Sequence, residues 1–249
     1  MKKFLKLLLI GNLKTNTFLV AIIAPYFLFC LYPDFNFEFC KTSAEIKICS
    51  HQRLSNAEEM IENIRQGLNK SEIYDPSLSL SVYITQSHNE YRVFSPISTK
   101  SFAQYLPFFR NVYINKSDLK TKNVFRSYDE RQRDLSQTII HEATHKLIHN
   151  KIGIVKTLFL PTWVSEGYSD YIAGESTYSL EEAALLIKAK TIKDNPSAMY
   201  RVYLESVSYL IEEKNFNFES LRTYSGSWED LQSIVFNRIL ERTNHSVLL

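Results

Sequence analysis

The chain has 249 residues, with 29 basic and 27 acidic side chains, so the net charge is only +2 at pH 7. Nucleic-acid binding needs a concentrated basic patch, and the arginines at 126, 131 and 133 form only a loose cluster of the kind that is usually solvated. The composition therefore excludes nucleic acid as a partner. The length beyond the first forty residues suffices for one hydrophobic core, which predicts a single domain.

The N-terminal region carries an almost uncharged apolar run at residues 17–32, which Pro33 and Asp34 end. Four lysines stand before it: Lys2, Lys3, Lys6 and Lys14. No small-residue cleavage pattern follows, which favours an uncleaved signal anchor. The lysines place the N-terminus in the cytoplasm. The sequence thus predicts a cytoplasmic N-terminus and transmembrane anchor at residues 1–34, and an extracytoplasmic domain at residues 35–249. A cleaved signal peptide and a secreted protein are the alternative.

The three cysteines are compatible with an extracytoplasmic domain but do not establish it. Cys30 lies within the apolar run, where it serves as a small hydrophobic residue. Cys40 and Cys49 flank a short segment and are candidates for a disulfide, but spacing alone leaves their pairing open.

Residues 55–115 contain one helical pattern and three strand-like segments. Residues 55–68 have apolar side chains at helical spacing, with Ser55 or Asn56 as the predicted cap. Residues 78–84 alternate as in a strand, and residues 91–93 are predicted to pair back with them across a turn. Residues 111–115 form a further predicted strand. It is our candidate for a substrate-binding edge, although an ordinary sheet strand fits the same residues.

The segment from about 130 to 149 contains His141-Glu142-Ala143-Thr144-His145 within a helical apolar pattern. Residues four apart lie on one face of a helix, so both histidines can reach one metal ion. Glu142 lies beside them and can take a proton from the attacking water. The alternative is a helix whose histidines merely line its polar face.

A third metal ligand is predicted shortly downstream. A catalytic zinc ion takes three protein ligands, and Glu166 lies early in what reads as the next helix. Asp170 follows by four residues on the same face, where its carboxylate can accept a hydrogen bond from His141 and orient the ring. An acidic, solvated helix start is the alternative for this pair.

The pattern His141-Glu142-x-x-His145, then Trp163-Val164-x-Glu166-Gly167-x-x-Asp170, resembles the gluzincin metallopeptidases, the peptidase-MA-like clan that includes thermolysin and the zinc aminopeptidases. The resemblance covers roughly residues 75–240. It implies a zinc ion held by both histidines and Glu166, and a peptide substrate lying along a sheet edge. The chain lacks the G-x-M-x-N signature of the aminopeptidases, so aminopeptidase specificity is not supported.

The remaining chain reads as helical. A capping box at Ser179 and Glu182 opens one helix, Pro196 opens another, and Ser227 with Asp230 opens the last. The resemblance implies a tyrosine in the helix after the metal ligands that stabilises the oxyanion. Of Tyr200, Tyr203 and Tyr209 there, we choose Tyr203.

Together these patterns predict an α+β fold with an N-terminal membrane anchor, a small mixed sheet and a helical lobe, with zinc at their junction. The expected function is that of a membrane-anchored zinc metallopeptidase acting on a peptide or protein substrate, with Glu142 as general base. The alternative is a catalytically inactive, membrane-anchored zinc-binding or protein-interaction domain of the same fold.

Overall fold

The computed structural model describes residues 24–129 and 131–246. Within them, a five-stranded mixed sheet has the order β1-β2-β3-β5-β4. Its strands are β1 (Phe39–Ser43), β2 (Ile46–Ser50), β3 (Leu80–Ile84), β4 (Ala103–Leu106) and β5 (Asn111–Ile114). The pairs β2–β3 and β3–β5 are parallel, whereas β1–β2 and β4–β5 are antiparallel. Strand β4 therefore forms one edge of the sheet.

A second, three-stranded sheet follows β5 in the chain and precedes the helical lobe. It consists of β6 (Ser117–Asp118), β7 (Asn123–Phe125) and β8 (Gln132–Asp134). Strand β8 runs directly into the helix α3 (Leu135–Ile152), so it fixes where that helix starts. The predicted helix from about residue 130 accordingly begins later, at Leu135.

The helices are α1 (Ala57–Leu68), α2 (His88–Phe94), α3 (Leu135–Ile152), α4 (Ile154–Thr157), α5 (Thr162–Ala173), α6 (Leu180–Lys188), α7 (Pro196–Lys214), α8 (Phe218–Arg222) and α9 (Trp228–Ser246). Local signals define several ends. The Asp134 side chain caps α3 by accepting from the N–H of Gln137 at 2.9 Å, and Gly153, at φ 83°, ends it. The predicted capping box of Ser179 and Glu182 is confirmed.

The main hydrophobic core joins one face of the five-stranded sheet to α1 and α3, and continues into α5, α7 and α9. The sheet contributes side chains such as Val82 and Val112, and α3 contributes Ile139 and Leu147, all of them buried. A smaller aromatic cluster, formed by Phe37, Tyr83, Tyr91, Phe94 and Tyr113 with Cys49, packs separately. The architecture is α+β, with a mixed sheet followed by a helical lobe, as predicted.

The predicted membrane anchor is wrong. In the part of the chain that the structure describes, no helix is both long enough and apolar enough to cross a membrane. Residues 17–23 of the predicted span lie outside the described residues. Residues 24–31 are helical, and two of their side chains pack on the domain itself: Cys30 is buried, and Phe29 stacks on Phe94 with ring centroids 5.0 Å apart. The Tyr113 hydroxyl donates to the Cys30 carbonyl at 3.1 Å. The prediction of a single-pass membrane protein with an extracytoplasmic domain depended on this anchor, and it is therefore wrong as well.

Two strand predictions also change. The predicted strand at residues 91–93 is part of α2, because the Ser87 hydroxyl caps a helix there by accepting from the N–H of Glu90 at 3.2 Å. Strand β5, predicted as the substrate-binding edge, lies inside the sheet between β3 and β4. The edges of this sheet are β1 and β4, and the sequence analysis did not predict β4.

The open question of Cys40 and Cys49 is resolved by the hairpin that carries them. They are directly opposite each other in the β1–β2 register, with their Cα atoms 4.1 Å apart, and they form a disulfide.

Candidate metal centre and cleft

Three side chains from two helices meet in one place. His141 and His145, one turn apart on α3, direct their Nε2 atoms to within 3.1 Å of each other. Glu166, in the first half of α5, places Oε2 at 3.3 Å from the Nε2 atom of His141 and 3.5 Å from that of His145. The structure therefore brings together the three predicted ligands.

The spacing of these atoms fits a tetrahedral metal site. With bonds of about 2.0–2.1 Å, two ligands of a tetrahedral zinc ion are separated by about 3.3 Å. The three separations of 3.1, 3.3 and 3.5 Å lie around this value. Two imidazoles and a carboxylate are also a donor set that suits zinc and its transition-metal neighbours.

Hydrogen bonds orient both imidazoles. The Nδ1–H group of His141 donates to Oδ1 of Asp170 at 2.7 Å, because a carboxylate can only accept. Nδ1 of His145 lies 3.2 Å from the Ser165 hydroxyl oxygen and 3.4 Å from that of Ser169. The His141 ring thus carries its proton on Nδ1, which leaves its Nε2 lone pair aimed at the centre, and the two serine hydroxyls hold the His145 ring in place. Asp170 lies where it was predicted to lie, against His141.

The electrostatics favour an ionised carboxylate at this centre. Burial raises the pKa of Glu166, but the nearby His145 and His141 outweigh it and hold that pKa well below its usual range. Burial lowers the pKa of His141, whereas the charge and hydrogen bond of Asp170 raise it, to about 10. A proton and a metal ion therefore compete for the same nitrogen of His141.

Asp170 is itself part of a buried ion network. Arg133 donates from Nη2 to Oδ1 of Asp170 at 3.0 Å and from Nε to Glu175 at 3.3 Å. The prediction that these arginines are solvated is wrong for Arg133 and for Arg126, since each residue is only 7% exposed. Acidic partners that are distant in sequence, such as Asp170 for Arg133, make this burial possible.

Glu142 lies beside the metal ligands and is held by the sheet edge. Its Oε2 accepts from the backbone N–H of Tyr105 in β4 at 2.6 Å. Its Oε1 has no hydrogen-bond partner in the part of the chain that the structure describes, and so it can take a proton. Sequence analysis did not predict Tyr105, because only the sheet order brings β4 to α3.

These groups line a cleft of about 790 Å³, which we call the central cleft. One wall is the segment 97–105 with β4, and another is the first turn of α7. The cleft is large enough for a short peptide segment, within the usual range for ligand sites.

Two of the candidate tyrosines of α7, Tyr200 and Tyr203, have different surroundings. Tyr200 lines the central cleft, whereas Tyr203, one turn later, does not. The ring of Tyr203 packs against Trp228 and Tyr200, with centroids 5.6 and 5.8 Å away. Burial, together with the charges of Glu166 and Asp170, raises the pKa of Tyr200, so its hydroxyl stays protonated and able to donate.

Comparisons with known proteins do not identify a family. No protein-family model matches this chain, and no curated protein matches it significantly.

Proposed function

We propose that this protein is a zinc-dependent metallopeptidase that hydrolyses a peptide or protein substrate. The observation that carries the proposal is the convergence of His141, His145 and Glu166, with the free Oε1 of Glu142 beside them. A purely structural site closes its fourth position with a protein ligand and has no use for a base. The open cleft over this centre supports a catalytic site instead.

Zinc held by these three residues would polarise the scissile carbonyl and lower the pKa of the attacking water. Glu142 takes a proton from that water on Oε1 and later delivers it to the leaving amine. Its other oxygen stays bonded to the N–H of Tyr105, which keeps the carboxylate in position. Asp170 keeps the His141 ring in the tautomer that the site requires.

Tyr200 is the group that we assign to the developing oxyanion. It lines the central cleft, and its hydroxyl has no hydrogen-bond partner among the residues that the structure describes. A protonated phenol at such a position can donate to the negative oxygen as it forms. The earlier choice, Tyr203, stays a prediction, but its packing against Trp228 favours Tyr200 for this role.

The sheet edge supports a peptide as the substrate. Strand β4 pairs with β5 on one side, and the N–H of Tyr105 points the other way, to Glu142. Backbone groups of alternate residues share a direction, so those of Ala103 and Tyr105 lie on the unpaired side of the edge. Because Glu142 already accepts from the N–H of Tyr105, an extended peptide that adds to this edge and passes the metal centre would bond to the remaining backbone groups of Ala103 and Tyr105.

The test measures metal content and peptide cleavage on the same preparations. The parent should bind one zinc ion per chain and cleave peptides from a broad library, and chelation should abolish cleavage. His145→Ala and Glu166→Ala should lose the metal, whereas Glu142→Gln should keep it and lose activity by about two to four powers of ten. Stoichiometric zinc in both ligand variants would exclude this ligand set. Cleavage that survives chelation would exclude the metallopeptidase.

A further inference from the structure

The charged side chains along the central cleft are distributed unevenly. Its acidic lining residues, among those that the structure describes, are Glu142 and Glu166 at the metal centre. The basic lining residues are Lys100, Arg126 and Arg133, and Arg133 is committed to Asp170 and Glu175. Arg126 is paired with Asp129, whereas Lys100 makes no ion pair with a described residue; these two side chains bring positive charge and N–H donors to the end of the cleft where they lie.

Arg126 is held rigidly at this end. Its Nε and Nη2 donate to Asp129 at 2.7 and 2.5 Å, and its Nη1 donates to the Ser197 hydroxyl at 3.2 Å. The rings of Phe102 and Tyr128 lie 4.9 and 4.5 Å from the guanidinium carbon. The arginine is thus fixed before any ligand arrives, which lowers the entropic cost of binding.

Some N–H groups of this fixed guanidinium make no hydrogen bond within the described part of the chain. The guanidinium carries five N–H donors, of which the contacts to Asp129 and Ser197 use three. One N–H on Nη1 and one on Nη2 remain without a partner in the described part of the chain. Asp129 is not among the residues that line the cleft, so the positive group faces the cleft and its counter-charge does not.

Two neighbours add to the positive potential. Lys100 makes no ion pair with any described residue, and its ammonium lies 6.0 Å from the centroid of the Tyr128 ring. Ser197 is the second residue of the 19-residue helix α7, whose first turn contains no acidic side chain. The partial positive charge of a long helix at its N-terminus therefore reinforces the two cations.

We infer that this end of the central cleft, formed by Lys100, Phe102, Arg126, Tyr128 and Ser197, binds a carboxylate of the peptide substrate. The inference rests on the proposed peptidase function, and it names the class of substrate: peptides with a carboxylate within reach of the metal centre. That carboxylate belongs either to an Asp or Glu side chain or to the C-terminus of the peptide. The two remaining N–H groups of Arg126 bind it in a charge-assisted pair.

Binding is tested first, in a form that needs no catalysis. The probes are short alanine-based peptides that carry one Glu at each position in turn, a matched set with Gln, and each peptide with a free or an amidated C-terminus. They are titrated against the zinc-loaded Glu142→Gln chain. One charge-assisted pair should make the preferred carboxylate peptide bind roughly ten- to a hundredfold more tightly than its neutral partner. A Glu preference at one position identifies a side chain as the source, and a preference for the free acid identifies the C-terminus.

Variants in the same background show where the carboxylate binds. Arg126→Gln should reduce the preference to within about twofold, because the pair of donors is lost. Lys100→Gln should reduce the preference for the carboxylate peptide by a few-fold, as expected for an exposed charge. If Arg126→Gln does not fold, Lys100→Gln alone serves as the test. Arg65→Gln, which removes an exposed arginine paired with Glu62 on α1, is the matched control and should leave the preference unchanged.

Equal binding of the carboxylate and neutral peptides would overturn the inference. So would a preference that persists in both the Arg126→Gln and the Lys100→Gln variants, because the carboxylate would then bind elsewhere, for example at the metal. Cleavage by the parent separates this outcome from failure of the proposed function. If the parent cleaves Glu and Gln peptides equally well, and also free-acid and amidated peptides equally well, the carboxylate site is wrong and the peptidase stands. If it cleaves neither but binding shows the Arg126-dependent preference, the carboxylate site stands and the peptidase is wrong.

Discussion

Replacing Gly167 by alanine should loosen the packing that places Glu166. Gly167 is the next residue in α5, and it faces α7. A Cβ atom added there would lie 2.5 Å from the carbonyl oxygen of Tyr203, 2.8 Å from its carbonyl carbon and 2.8 Å from Cγ2 of Val207. Ordinary contacts between such atoms begin at about 3.5 Å, so the two helices must separate by roughly 1 Å.

The expected loss of stability follows from two opposing effects. Overpacking a well-filled interior costs about 1–3 kcal/mol, and the upper half applies here because the clash is with backbone. Alanine offsets about 1 kcal/mol through its better helix propensity. The net free energy of unfolding should therefore fall by about 1–2 kcal/mol, which lowers Tm by roughly 2–8 °C in a protein of this size. Zinc affinity should fall about tenfold as Glu166 shifts, a cost typical of disturbed supporting groups.

The assay measures Tm in the presence of a chelator, so that metal binding does not contribute to stability, and zinc affinity separately by competition with a chelating dye. Gly226→Ala is the comparison, because its added Cβ meets only the far end of one side chain, that of the half-buried Tyr224, and no helix backbone. Gly226→Ala should therefore lose less stability than Gly167→Ala, since a side-chain end moves more readily than a packed helix. A Gly167→Ala variant as stable as the parent would refute the close contact of α5 and α7.

Three further predictions concern the site and the sheet. Asp170→Asn should weaken zinc binding by about ten- to a hundredfold, because His141 loses its carboxylate acceptor; unchanged affinity in a dye-competition titration would show that Asp170 does not orient the ring. Tyr200→Phe should lower kcat by about a hundred- to a thousandfold, whereas Tyr203→Phe should change it only a few-fold; steady-state rates showing the reverse order would restore Tyr203 to the oxyanion role. Replacing Cys40 and Cys49 together by serine should lower the free energy of unfolding by up to about 2–3 kcal/mol in denaturant titrations, as chain entropy predicts for a short loop; a variant of equal stability would mean that the hairpin does not depend on the bridge.

Sequence alone predicted those parts of the protein that depend on neighbours along the chain. His141 and His145 are one helical turn apart, and so are Glu166 and Asp170, so their alignment follows from the helical repeat. Helix ends at Ser179 and Pro196 followed from capping chemistry for the same reason. These local signals were sufficient to predict the four residues that the structure brings together.

Tertiary structure alone decided which groups from distant segments meet them. The order of strands makes β4 the edge and brings the N–H of Tyr105 to Glu142, which no spacing in the sequence indicates. The rotation of α7 turns Tyr200 to the cleft and Tyr203 to Trp228, although both belong to the same helix. Arg133 is buried because Asp170 and Glu175, from a distant segment, satisfy its charge, and Phe29 stacks on Phe94 of α2. Each of these outcomes depends on a contact between segments that are far apart in the chain, and hydrophobic periodicity carries no information about such contacts.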